Sequence, residues 1–161
     1  MAIQRSNPAA INLGTAVNSL GSSATAAAQS NEVSSSTTNN VTDITVNVGL
    51  VAGAFTQSAS TTVTVLVWGT NDDDSYPGTT GSTEAITGVA GAITLSTFGN
   101  IALKWLAGAS AIPSQTTKLE GSVVGALGFV PRKWGIVIMN QTGVALAASG
   151  HYAEYTETFY N

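Results

Sequence analysis

The 161-residue chain contains no cysteine, which excludes disulfides, zinc–thiolate sites and thiol catalysis. Charge is nearly as scarce. Asp, Glu, Lys and Arg make up 9% of the residues, against roughly 25% in ordinary soluble domains. Five residues are basic, Arg132-Lys133 is the one adjacent basic pair, and the net charge is −4. Nucleic-acid binding depends on clustered Lys and Arg that displace counterions from phosphates, so no nucleic-acid partner is expected. Docking on an anionic membrane surface is excluded on the same ground. No apolar run approaches the ~18 residues of a membrane-crossing helix. The start of the chain, Met1 to Pro8, lacks the apolar stretch of a signal peptide, so the chain is expected to stay where it is made unless it leaves inside an assembly.

Histidine is reduced to one, His151. Any hydroxyl nucleophile that relies on an imidazole base must use it. Ser149 lies two residues away, but no G-x-S-x-G elbow exists, and a strand-end structural histidine is the better reading. The carboxylates Asp43, Glu84, Glu120, Glu154 and Glu157 show no pairing of the kind a glycosidase needs across a cleft. No catalytic residue and no cofactor is assigned, and the chain is read as a non-enzyme. The run Asp72-Asp73-Asp74 is the one candidate for a hard cation such as calcium or magnesium. It departs from an EF-hand loop at the sixth position, held by Pro77, and at the twelfth, held by Thr83. A solvated acidic turn is therefore preferred, and no metal is assigned.

What is present in quantity is apolar residues, 43% of the chain, enough for one core in a single domain. The polar complement comes from Ser, Thr, Asn and Gly. Disorder would pair low hydrophobicity with high net charge, which is not the case here. An uncharged, hydroxyl-rich surface suits a protein that is docked to others, because free-standing proteins keep themselves soluble with charge.

The dominant period from Val41 onward is two. Ile44, Val46, Val48 and Leu50 fall on one face, as in a half-buried strand. Thr61–Trp68 is dense in β-branched residues and reads as the strongest strand; Leu66 and Trp68 suggest cover on its second face as well. Residues 69–82 are a turn region rich in Gly, Asn, Asp and Pro. Further strands are predicted at Glu84–Val89, Ala92–Thr97, Ile101–Leu106, Lys118–Val124 and Trp134–Met139. Gln141-Thr142-Gly143 reads as a hairpin turn with a return strand over Val144–Ala148, and the chain ends in a Tyr-rich strand. The expected fold is all-β, an antiparallel β-sandwich over residues 41–161. In residues 1–40 only Ile11 and Leu13 suggest a short strand. Gly21–Asn40 is almost devoid of bulky apolar residues, so it is expected to add little core, and the whole segment reads as an extended polar arm. Trp68, Trp105 and Trp134 could stack on sugars, although core or interface packing is the commoner role of strand tryptophans.

The stretch Arg132-Lys133-Trp134-Gly135-Ile136-Val137-Ile138-Met139-Asn140-Gln141-Thr142-Gly143-Val144-Ala145-Leu146 resembles the end of small tailed-phage virion proteins. In these an aromatic-led strand meets N-x-T/S-G and then an Ala/Leu/Ser-rich return strand, and the trailing Tyr152–Tyr160 segment is similar as well. The resemblance spans residues 132–160 and has no catalytic motif to carry over. It implies a virion structural protein with a sandwich or jelly-roll core, such as a capsid decoration (cement) protein. Its partners would be the major capsid protein, other virion proteins and further copies of itself, and its location the virion. Arg5, Ile11 and Leu13 on the arm are the candidate partner contacts. The alternative is a carbohydrate- or receptor-binding β-sandwich module of a phage tail or fibre.

Overall fold

A computed structural model describes residues 2–37, 40–71, 86–95 and 103–160. Its elements in chain order are β1 (Ile3–Arg5), β2 (Ala9–Ala10), β3 (Ala26–Gln29), β4 (Val33–Ser34), β5 (Asn40–Val51), β6 (Thr62–Thr70), β7 (Gly91–Thr94), β8 (Lys104–Ser110), β9 (Thr116–Ser122), α1 (Val123–Leu127), β10 (Lys133–Gln141) and β11 (Tyr152–Tyr160). The protein is thus nearly all β, as its period-two pattern predicts. Two wholly antiparallel sheets form. One runs β1-β11-β5-β9 with β2 also on β11; the other runs β7-β3-β10-β6-β8 with β4 also on β10.

The sheets share an apolar core. Ile44, Val46, Val48 and Leu50 of β5 enter it from the first sheet, and Val63, Val65 and Val67 of β6 with Trp134, Ile136 and Ile138 of β10 from the second. The alternate residues of the two central strands are buried too. Leu66, Trp68, Val137 and Met139 form a second cluster with Ala27, Ile86, Ile93 and Leu95 on the outer face of the second sheet. Burial on both faces explains why β6 and β10 read as near-continuous apolar runs. Among the described residues no helix is long and apolar enough to cross a membrane.

The first forty residues depart most from expectation. Ala26–Gln29 is not peripheral: it pairs with β10 on one side and β7 on the other. Ala27 and Ala28 are buried on opposite faces of that sheet, and Ile11, Leu13, Val17 and Leu20 pack into the main core. The expectation that Gly21–Asn40 adds little core is therefore corrected. Small side chains are what the space between tightly packed strands admits, and the polar ones act as hooks. Gln29 Nε2 donates to Thr87 Oγ1 at 3.0 Å, Asn31 Oδ1 accepts from the Ala90 amide at 2.6 Å, and Ser30 Oγ accepts from the Ile136 amide at 3.0 Å.

Four local expectations also change. Of the strand predicted over Glu84–Val89, the described residues 86–89 lie outside any strand. Ile11 and Leu13 lie outside any strand. The strand predicted through Val124 stops at Ser122, whose hydroxyl caps α1 by accepting from the Gly125 amide at 2.8 Å; Gly128 closes the helix at φ 82°. Val144–Ala148 forms no return strand; it is held to the sheets by a bridge between Leu146 and Ala52 and by the Asn140 side chain of β10, which donates to the Val144 carbonyl.

Candidate functional site

The N-x-T-G stretch turns out to be an internal clasp. Asn140 and Thr142 are buried. The Asn140 amide donates to the Leu20 carbonyl at 2.8 Å and the Val144 carbonyl at 2.7 Å. Its Oδ1 accepts from the Thr142 amide at 3.1 Å and lies 2.8 Å from the Thr142 hydroxyl. Gly143, at φ 84°, donates to Ser22 Oγ at 2.8 Å. Asn140 and Gly143 thus tie the end of β10 to residues 20–23, braced by Thr142, and serve the fold rather than a ligand.

His151 serves the fold too. Its Nδ1 accepts from the Val51 amide at 3.2 Å, and Nε2 lies 2.9 Å from the Ala147 carbonyl. An amide can only donate and a carbonyl only accept, so the ring is the Nε2–H tautomer with both nitrogens engaged. No lone pair remains to activate Ser149.

The carboxylates are dispersed. Glu157 is buried, with Oε1 accepting from the Ser36 amide at 2.8 Å. Asp43 accepts from the Ser122 hydroxyl at 2.6 Å and from the Ile44 amide at 2.8 Å. Glu154 and Glu157, three apart on one strand, face opposite sides of the sheet. Among the described residues no three His, Asp or Glu side chains gather as a metal site. Asp72, Asp73, Asp74 and Glu84 lie outside the described residues.

The tryptophans separate cleanly. Trp68 and Trp134 are fully buried, so neither ring can meet a sugar. Trp134 stands edge-on to Tyr155 at 5.2 Å across the core. Trp105 is 63% exposed on the edge strand β8. It borders a groove of about 270 Å³ with Leu106, Ser122, Gly125 and Ala126. Apart from the indole N–H of Trp105, the one polar side-chain group there is the Ser122 hydroxyl, which is already held by Asp43 and the Gly125 amide. The slot therefore offers surface to an apolar group.

Of the contact candidates near the start of the chain, Arg5 is exposed on β1, at an outer edge of the first sheet. Ile11 and Leu13 are 4% and 8% exposed and belong to the core. Their apolar alternation is the signature of burial within this chain, and their side chains are not available to a partner. The exposed apolar residue of that segment is Ile3, at 68%, paired with the half-exposed Tyr160. No protein-family model, curated protein or solved structure matches the chain.

Proposed function

We propose that the chain is a structural component of a tailed-phage virion, a head decoration protein with a jelly-roll β-sandwich, docking on the major capsid protein and on copies of itself. The observation that carries this reading is the strand order. Take β1 with β2 as the first strand and β3 with β4 as the second, and set β7 aside as an addition. One sheet then runs first, eighth, third, sixth, and the other second, seventh, fourth, fifth. Among the described residues this order supports a reading as the two Greek keys of an eight-stranded jelly roll, an architecture found in viral capsid and lectin domains.

Architecture alone does not assign a role, and the surface adds the rest. The exposed Trp105 beside an apolar slot has the character of an interface anchor, since tryptophans dominate binding hot spots. The outer edge of β1 can accept a neighbour's strand through backbone hydrogen bonds. Decoration would stabilise a shell by binding its assembled form and not its free subunits. No residue performs chemistry in this reading.

The test is co-sedimentation of the purified protein with expanded, undecorated capsids. Saturable binding is expected, weakened at least tenfold by Trp105→Ala with the unfolding midpoint unchanged. Absence of saturable binding to capsids would sink the proposal.

A further inference from the structure

Charged side chains are scarce in this chain, yet three of them gather on the outer face of the first sheet. Glu154 of β11, Asn47 of β5 and Glu120 of β9 are direct cross-strand neighbours. One row further along, Tyr152, Gly49 and Lys118 are aligned in the same way. Neighbours across a sheet share a face at about 4.8 Å per strand, so the two rows form one patch. Tyr152, Asn47, Lys118 and Glu120 line a groove of about 230 Å³ there.

Two features distinguish this patch from an ordinary solvated face. Gly49 has no side chain, and the Tyr152 ring occupies the space a Cβ would take. The ring is therefore seated against the backbone of β5, yet Tyr152 remains 40% exposed. The polar groups around it are also uncommitted. Among the described residues the side chains of Asn47, Lys118, Glu120, Tyr152 and Glu154 form no hydrogen bond or ion pair with one another or with any neighbour. Elsewhere amides and carboxylates such as Gln29, Asn31, Asn140, Asp43 and Glu157 are engaged within the fold.

From this geometry we infer a binding site for a single neutral sugar ring on the outer face of the first sheet, with Tyr152 as its platform. An aromatic face matches the C–H face of a pyranose, while the phenol keeps a polar edge. A carboxylate accepts from two hydroxyls, an amide both donates and accepts, and an ammonium donates. Glu120, Asn47 and Lys118 thus supply the mixture that adjacent hydroxyls require. The charges of Lys118 and Glu120 offset each other, and Glu154 leaves the patch slightly negative, which disfavours anionic ligands. The groove is smaller than the roughly 300–1,000 Å³ of drug-sized sites and suits one ring. The site is separate from the Trp105 slot and does not depend on the assembly role.

The test is an amide-resolved NMR titration of the full chain with glucose, galactose, mannose and N-acetylglucosamine. Saturable shifts confined to residues 47–49, 118–120 and 152–154 are expected with at least one of them. Tyr152→Ala and Glu120→Gln should each weaken that binding tenfold or more, and Trp105→Ala should leave it unchanged. Glu120→Gln alters an exposed side chain and keeps the fold, so its result stands even if Tyr152→Ala perturbs the strand. No saturable shift with any of the four sugars, shifts centred on Trp105, or binding indifferent to Glu120→Gln would overturn the inference.

Discussion

At the residue scale the same contact can be rigid or forgiving according to what surrounds it. A Cβ at Gly135 would sit 2.8 Å from the indole of Trp68, which is fully enclosed. Gly135→Ala is expected to cost about 1–3 kcal/mol, the usual range for overpacking a core. A Cβ at Gly49 meets the Tyr152 ring, which can swing into solvent, so Gly49→Ala should cost less than about 1 kcal/mol. Urea denaturation of the two variants checks the order. Asn140→Ala removes a side chain that satisfies two carbonyls and one amide in the interior, and leaving such groups unpaired should cost about 2–4 kcal/mol. Tyr155 adds a dependence on pH. Its phenol is held above the ordinary 10.0, chiefly by burial and further by the negative Glu157 carboxylate. Below that ordinary value both folded and unfolded chains keep the proton, and the contribution is fully present. As the pH rises past it the unfolded chain ionises first, so stability falls until the folded phenol ionises too. Tyr155→Phe should lose less stability than the parent as the pH rises above the ordinary phenol value of 10.0, read from urea midpoints.

At the element scale the decisive case is the segment before β5. Ile11, Leu13, Val17 and Leu20 are buried, and at about 1.5–3 kcal/mol each their burial is worth on the order of 6–12 kcal/mol. That rivals the ~5–15 kcal/mol net stability of a whole domain. Deleting residues 1–40 should therefore abolish the cooperative urea transition and the near-ultraviolet circular dichroism; a retained cooperative transition would contradict this. The strands β5, β6, β10 and β11 are legible in the sequence because each carries its own alternation or an apolar run. Ala26–Gln29 is not, because alanine signals neither period, and its Ser, Asn and Gln neighbours look like a linker until their partners on β10 and near β7 are known. The helix α1 is hidden by Val123-Val124, which favours strand locally, while the cap by Ser122 decides otherwise. The Tyr152 groove is invisible for a different reason. Its rows consist of residues far apart in the chain, brought side by side only by the register of β11 on β5 and of β5 on β9.

At the scale of the whole molecule the scarcity of charge sets what kind of association is open to it. With 9% charged residues and a net charge of −4, long-range steering is weak, and exposed charges are screened beyond about 8 Å at physiological salt. Among the described residues the features suited to such association are apolar and main-chain: Trp105 beside its slot, Ile3 with Tyr160, and the outer edge of β1. Contacts of this kind bury area and pair backbone groups, and neither effect is reduced by moderate salt. If docking uses these features, affinity for undecorated capsids should change less than about threefold between about 0.05 and about 0.5 M sodium chloride. A fall of tenfold or more would place the binding energy in ion pairs instead. The exposed cations Arg5 and Lys104, which flank the two apolar sites, would then be the residues to neutralise. Comparing Arg5→Gln and Lys104→Gln with Trp105→Ala across the salt series separates the two. An apolar interface predicts that only Trp105→Ala weakens binding, and by the same factor at every salt concentration.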